Sequence, residues 1–147
     1  MRRVPVAVAV VTVEAGGARA GLTVASLVSL SLDPPLVGFA VRRDAALHEL
    51  LREAEELAIS VLAEGQEHLA QHFARGVPPI ALWERIPLRD DSAGPPQLAD
   101  AAAWLRGRVD QEHATGDHTF FVGEIVALDE GARAPGLVYR EHGYHPV

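Results

Sequence analysis

The stretch that decides the arrangement of the chain is Gly21-Leu22-Thr23-Val24-Ala25-Ser26-Leu27-Val28-Ser29-Leu30-Ser31-Leu32-Asp33-Pro34-Pro35-Leu36. It is too polar on one side to be plain core and too apolar to be a loop, because four hydroxyl residues interleave with aliphatic ones: Thr23, Ser26, Ser29 and Ser31. Pro34 and Pro35 end the run, since proline cannot donate to a sheet ladder. Two interpretations stay open: an edge strand with a solvated face, or a binding site for a ligand that is flat and apolar at one end and hydrogen-bonding at the other.

The bulk composition predicts one soluble globular domain over residues 1–147. The chain has 147 residues of which 48% are hydrophobic, enough to bury a core of ordinary size. Its longest apolar run is far shorter than the ~18 residues of a membrane-spanning helix, and no signal peptide is evident. We therefore expect a cytoplasmic protein without a membrane partner.

Charge and residue usage exclude several classes of function. The formal net charge is −7, which argues against a nucleic-acid partner because phosphates would be repelled. There is no cysteine, so disulfides, thiolate metal sites and a cysteine nucleophile are excluded. All 13 basic residues other than histidine are arginine, which excludes mechanisms that need a lysine.

Hydrophobic periodicity predicts many strands and two helices. Strands are expected at residues 4–13, 36–41, 57–62, 101–113, 117–128 and 137–140, the first of them interior because both of its faces are apolar. Helices are expected after Asp44, as an N-cap, and over residues 67–75. Residues 76–96 are rich in proline and predict a loop or lid. The pattern favours a mainly β, mostly antiparallel small barrel with a few short helices.

Two further features have alternative interpretations. His68 and His72 have the i, i+4 spacing of metal ligands, but without a third ligand a polar helix face is favoured, and no metal site is predicted. Trp83 is interpreted as an anchor onto the barrel or a dimer contact, with a stacking platform as the alternative.

Three segments resemble the flavin reductase family, whose members supply reduced flavin to two-component monooxygenases. The opening stretch matches the family's flavin-binding signature at every defined position. A second block, Gly116-Asp117-His118-Thr119-Phe120-Phe121-Val122-Gly123-Glu124-Ile125, is intact, and residues 58–74 carry a weaker third match. The sequence is therefore identified as similar to this family over most of its length.

The resemblance implies an FMN-binding split barrel that reduces FMN, or alternatively FAD or riboflavin, with NADH or NADPH. It also implies a homodimer and a flavin-dependent monooxygenase as partner. His118 is the implied catalytic residue, on the nicotinamide side, and Ser26 with Arg43 is the implied phosphate site. The residues implied to bind the flavin are Thr23, Val24, Ala25, Ser26, Ser29, Leu30, Ser31, Pro34, Arg42, Arg43, Asp117 and Tyr139.

Motif absences are consistent with this interpretation. The sequence has no G-x-G-x-x-G fingerprint, Walker loop or G-x-S-x-G elbow, so a flavin is the hydride acceptor that remains. The alternatives are a non-catalytic FMN-binding or electron-transfer protein, and a barrel that has lost flavin and serves as an interaction domain. Two departures from the family favour these alternatives: Asp44 stands where a serine is usual, and the helix that commonly precedes the first strand is missing.

Overall fold

The computed structural model describes residues 3–76, 79–90, 94–131 and 133–147. Ten strands lie in this part of the chain: β1 Val6–Ala7, β2 Ala9–Ala15, β3 Ala18–Val24, β4 Val28–Leu32, β5 Pro35–Arg42, β6 Leu57–Val61, β7 Ala103–Thr115, β8 His118–Glu130, β9 Leu137–Arg140 and β10 Gly143–Pro146. Its helices are α1 Ala46–Glu53, α2 Glu67–Ala74 and the one-turn α3 Pro79–Leu82. The mostly antiparallel β architecture predicted from the sequence is confirmed.

The strands form a seven-stranded sheet in the order β3-β2-β6-β7-β8-β5-β4 and a three-stranded sheet in the order β1-β9-β10. Every strand pair described in both sheets is antiparallel. The predicted hairpin of two long strands is confirmed, since β7 and β8 have 13 residues each and turn at Gly116, whose φ is +65°. Glycine adopts this left-handed conformation without steric cost.

The large sheet has to curl, because its two edge strands are consecutive in the chain. β3 and β4 stand at opposite edges, yet only residues 25–27 separate Val24 from Val28. Ser26 fixes this short connection, since the backbone N–H of Ala40 in β5 donates to its Oγ at 2.9 Å. The two edges therefore approach each other without a full ladder between them, as expected of a split barrel.

Two apolar clusters fill the structure, and β2 contributes to both. Ala9, Val11 and Val13 belong to the cluster inside the curled sheet, together with Phe39, Phe121 and residues of α1. Val8 and Val10 belong to a second cluster with Leu69 and Phe73 of α2 and with Leu137. The interior strand with two buried faces, predicted from the alternating valines, is thus confirmed for β2.

The expected single strand over residues 4–13 is wrong in its extent, because the chain changes sheets at Val8. The N–H of Val8 donates to the Leu137 carbonyl at 3.0 Å, and its carbonyl accepts from the Leu62 N–H at 3.0 Å. The residues before Val8 therefore pair with β9, and those after it with β3 and β6. The sequence analysis also missed β10.

The expected role of Asp44 as a helix cap is wrong. Helix α1 begins at Ala46, and its N-cap residue Ala45 makes no side-chain capping bond. The carboxylate of Asp44 instead accepts two hydrogen bonds from the guanidinium of Arg42, two residues earlier in the chain. Asp44 does not hold the N-cap position, which Ala45 occupies, so its carboxylate pairs with Arg42 instead.

The predicted helix over residues 67–75 is found as α2, which ends before Gly76 at a φ of +64°. The proline-rich segment is mostly irregular, with α3 and a bridge between Leu88 and Leu98 within it. Residues 77, 78 and 91–93 of that predicted loop lie outside the described residues.

Ser26 generates a stability prediction. In Ser26→Ala the Ala40 N–H loses its acceptor, so we expect the free energy of unfolding to fall by about 1 kcal/mol. Urea denaturation followed by tryptophan fluorescence measures this change. The matched control is Ser29→Ala, a serine exposed on β4. Equal stability of the two variants would show that the Ser26 contact does not hold the connection between β3 and β4.

Candidate ligand-binding site

A cavity of about 410 Å³, called the seam cavity below, opens beside the β3–β4 connection, between the end of β3 and the ends of β5 and β8. Its walls are formed by strand ends, by helix ends and by one connection: the end of β3, the connection to β4, the end of β5, the start of β8, and the ends of α1 and α2 that face the cavity. Its lining residues are Leu22, Thr23, Val24, Ala25, Ser26, Ala40, Arg42, Ala45, Ala74 and His118. The structure therefore brings the start of the signature stretch together with His118 of the second block.

The two hydroxyls of this wall make structural hydrogen bonds. Thr23 donates from Oγ1 to the Ala70 carbonyl in α2 at 2.6 Å, which ties the helix to β3. Ser26 Oγ accepts from the Ala40 N–H at 2.9 Å, and its own O–H donates to the Ala40 carbonyl over a long 3.5 Å, a weak bond that an acceptor on a bound molecule could replace. Beyond these side chains, β3 has a ladder partner on one side only among the described strands, so backbone groups along its other edge are available to a ligand.

Arg42 brings a positive charge to the cavity, but that charge is already paired. Its Nε and Nη2 donate to the two carboxylate oxygens of Asp44 at 2.9 and 2.7 Å. The hydrogen bond between them lowers the pKa of Asp44 and raises the pKa of Arg42. Both side chains are exposed, so the pair marks a preferred geometry and contributes little to stability.

His118 stands beside Arg42, because the two residues are partners in the β5–β8 ladder. Its Nδ1 lies 2.6 Å from the Oδ1 of Asp117. A carboxylate only accepts hydrogen bonds, so Nδ1 carries the proton and Nε2 of the neutral ring is an acceptor. This bond is the main reason that the pKa of Asp117 lies below its ordinary value of 3.8. The His118 side chain is 39% exposed and can therefore reach a ligand.

Other predicted site residues lie away from this cavity. Ser29 and Leu30 are exposed on β4 with Ser31 half-buried beside them, and Pro34 is exposed at the turn that follows. Tyr139 lies on β9 and packs against Tyr144, with ring centroids 5.2 Å apart. These five residues stay predictions for contacts that the cavity of one chain does not bring together.

Arg43 lines a different cavity from Ser26, the residue it was paired with in the predicted phosphate site. That cavity of about 370 Å³ also contains His48 and Thr119. Arg43 approaches the second block through its backbone, whose N–H donates to the Asp117 carbonyl at 3.1 Å. Arg42 is thus the arginine that shares a cavity with Ser26.

Two contributions to the site were not predicted from the sequence. Leu22 lines the cavity, as do Ala40, Ala45 and Ala74, whose small side chains leave room, and no sequence pattern joins alanines from three segments. His48 is buried, with Nδ1 2.8 Å from Glu49 Oε1 and Nε2 2.8 Å from Thr119 Oγ1. A histidine on the apolar face of a predicted helix was the available signal. Its bond to Thr119 holds the strand residue next to His118.

The structure also places the residues with alternative interpretations. His72 contacts the Leu82 carbonyl through Nε2 at 2.7 Å, and His68 contacts the Gly65 carbonyl through Nδ1 at 3.1 Å. No cluster of three or more candidate metal ligands occurs among the residues described. Trp83 donates its indole N–H to the Arg19 carbonyl at 3.3 Å and packs on Phe73, which supports its interpretation as an anchor.

A larger cavity of about 540 Å³ lies elsewhere, but its chemistry is less suitable for an anionic ligand. Four carboxylate residues line it: Glu14, Glu53, Glu55 and Glu56. We therefore take the seam cavity, with its arginine and histidine, as the candidate site. Within the described parts of the chain, no helix is long and apolar enough to cross a membrane.

Comparisons with known proteins show which proteins the chain is similar to. A family model described as "Flavin reductase like domain" matches residues 1–147. The chain is 38% identical over 154 aligned residues to an NADH:FMN oxidoreductase of Rhodococcus erythropolis, covering 99% of this chain and 77% of that protein. It is 37% identical to the reductase component of 4-hydroxyphenylacetate 3-monooxygenase from Thermus thermophilus, covering 93% and 85% of the two chains.

A solved structure shows the same fold. The NADH:FAD oxidoreductase SgcE6 of Streptomyces globisporus C-1027, in complex with NAD and FAD fragments, aligns with a TM-score of 0.90 at 32% identity. The alignment covers 99% of this chain and 87% of that one. The split barrel expected from the sequence is confirmed by this similarity.

The Asp117 and His118 pair generates a titration prediction. His118→Ala removes the main cause of the lowered pKa, so the pKa of Asp117 should rise towards 3.8. With a lowered folded-state pKa, the pair stabilises the protein above pH 3.8 and loses this effect as the pH falls through the folded-state value. Side-chain carboxyl NMR measures the pKa of Asp117 in the wild type and in the variant. Glu112, whose pKa is lowered by Arg52, is the internal control and should not move. An unchanged Asp117 pKa would contradict the hydrogen bond between Asp117 and His118.

Proposed function

The chain belongs to the flavin reductase family, and we propose that the seam cavity is where it binds the flavin that it reduces. It is an NAD(P)H:flavin oxidoreductase, a class whose relatives here are named for FMN, FAD and riboflavin phosphate. The observation that supports this location is that Thr23–Ser26 and His118, from the two blocks that mark the family, line one cavity with Arg42.

The residues present are compatible with a flavin. A volume of about 410 Å³ lies within the range of small-molecule sites. The alanine and aliphatic walls suit a flat, apolar ring, and the free edge of β3 offers backbone donors and acceptors for its polar rim. The Ser26 hydroxyl, whose bond to the Ala40 carbonyl is long at 3.5 Å, suits the ribityl chain, and Arg42, paired with Asp44, is the positively charged arginine of the cavity.

The chain's residues bind and orient the reactants. When both are bound, NADH or NADPH transfers a hydride to the flavin, which takes up a proton and leaves reduced, while the dinucleotide leaves oxidised. Asp117 holds the His118 ring by its Nδ1 proton, which leaves Nε2 as a hydrogen-bond acceptor, and we assign to it the nicotinamide amide. Rate enhancement of this kind comes from holding two reactants in one geometry.

The test is NADH oxidation by the purified protein with FMN, FAD or riboflavin added, together with the variant His118→Ala. We expect turnover to require a flavin, and the variant to lower kcat/KM for NADH about tenfold, or ~1.4 kcal/mol of transition-state binding, with flavin affinity unchanged. His113→Ala, an exposed histidine on the same hairpin, is the matched control. A wild-type rate in His118→Ala would remove this residue from the mechanism. Tight FMN binding without turnover in the wild type would instead favour an electron carrier.

Membership of the flavin reductase family also supports a proposal for the partner and the location of this protein. Relatives of this chain are reductase components of monooxygenases, and we place this protein beside a flavin-dependent monooxygenase that consumes its reduced flavin. Its location would be the cytoplasm, where nicotinamide dinucleotides are available.

A homodimer is supported by an apolar strip on the outer face of β4 and β8. Val28 and Leu30 are 43% and 47% exposed, and Val126 and Leu128 are each 60% exposed. The Leu30 side chain lies over Gly38 beside the ring of Phe120, so the strip continues across β5. A second copy that covers this strip would bury the apolar surface and bring the exposed residues of β4 into contact with the partner.

Leu30→Arg tests this arrangement. A charge in the buried strip should convert the dimer to a monomer, because an unpaired guanidinium is costly to bury. Light scattering measures the mass of each variant. Ile80→Arg, which changes an aliphatic residue 91% exposed on α3, is the control and should remain dimeric. A wild-type monomer, or a dimer that survives Leu30→Arg, would contradict the proposal.

A further inference from the structure

One arginine, Arg42, lines the cavity, and the carboxylate of Asp44 is already paired with its guanidinium. Among the lining residues only Arg42 has a permanent positive charge. Its Nε and Nη2 point to Asp44 at 2.9 and 2.7 Å, which is the geometry that a phosphate would otherwise take. A ligand that carries phosphate has to displace Asp44 or bind only the N–H groups of Arg42 that Asp44 does not use.

The charges around Arg42 make that displacement unfavourable. Asp117 is a second carboxylate close enough to act on the guanidinium. Two carboxylates therefore act on the one arginine that lines the cavity, and Asp117 also holds the Nδ1 of His118. A doubly charged phosphate gains little from such a site, whereas an uncharged ring is unaffected.

Asp44 is free for this role because the helix beside it does not use it. The N-cap of α1 is Ala45, without a side-chain bond, and Asp44 is exposed. Its carboxylate is thus directed mainly by the two hydrogen bonds from Arg42.

We propose that Asp44 determines specificity by occupying the guanidinium of Arg42, so that the site selects the flavin ring and not the phosphate. Riboflavin, FMN and FAD then bind with similar affinity, and the reduced flavin is released readily to the enzyme that uses it. This inference rests on the proposed function, in which the seam cavity binds flavin.

The experiment compares the dissociation constants of riboflavin and FMN by quenching of flavin fluorescence. In the wild type we expect the two constants to agree within about threefold. Asp44→Asn keeps the shape of the side chain and removes its charge, and it should tighten FMN binding about fivefold or more with riboflavin unchanged. The gain should shrink as salt is added, since the charges are exposed.

Glu112→Gln is the matched control. Glu112 also holds an exposed arginine, Arg52, by several hydrogen bonds, but away from the seam cavity. This variant should leave both dissociation constants and the rate of NADH oxidation at wild-type values. A similar gain in FMN affinity would mean that net charge, and not the Arg42 pair, controls binding.

Double variants identify the arginine that is released. Arg42→Ala combined with Asp44→Asn should abolish the gain in FMN affinity, whereas Arg43→Ala combined with Asp44→Asn should keep it. Thermal unfolding checks that each variant is folded, and Asp44→Ser serves as a second neutral substitution.

The outcomes separate this inference from the function on which it rests. A wild type that binds both flavins but prefers FMN more than about tenfold, or a neutral Asp44 variant without a gain, overturns the role of Asp44 and leaves the reductase intact. A wild type that binds neither flavin overturns both.

Discussion

A short connection between the two edges of one sheet is the constraint on which the structure depends. β3 and β4 are at opposite ends of seven strands, but residues 25–27 are all that join them. The sheet therefore has to curl until its two edges approach each other. The hydrogen bond from the Ala40 N–H to Ser26 Oγ anchors the connection between these edges. Among the described strands, no ladder pairs β3 with β4.

The site is a consequence of this arrangement. Where the edges approach without pairing, the end of β3 keeps free backbone groups, and the ends of β5 and β8 add Arg42 and His118 in adjacent ladder positions. Helix α2 closes one side through the Thr23 bond to Ala70. The cavity walls are strand ends, helix ends and one three-residue connection, and not long loops, which favours precise orientation of two reactants.

Paired charges surround the cavity. Arg42 is held by Asp44, His118 by Asp117, and in the next cavity Arg52 is held by Glu112. Behind them His48 is buried against Phe121 and bonded to Thr119, so a polar network supports the strand from the inside. These pairs set side-chain directions more than they stabilise the fold, because the exposed ion pairs are well solvated.

The sequence by itself determined the fold class, the family and most of the secondary structure. Alternating valines predicted that β2 is buried on two faces, and the two blocks marked the family, because these properties depend on residues close together in the chain. Only the tertiary structure decided where the signature stretch divides into two edge strands, and that the chain changes sheets at Val8. Backbone partners such as Leu137 and Leu62 are far away in sequence, so no local pattern contains them.

The same limit applies to the site. Thr23–Ser26 and His118 were predicted and lie in one cavity, whereas the choice between Arg42 and Arg43 and the pairing of Asp44 needed coordinates. Arg42 is the last residue of β5 and Arg43 is the first residue after it, and this difference of one position places the two arginines in different cavities. The sequence determines which chemical groups are available, and the register of β5 against β8 decides which of them meet.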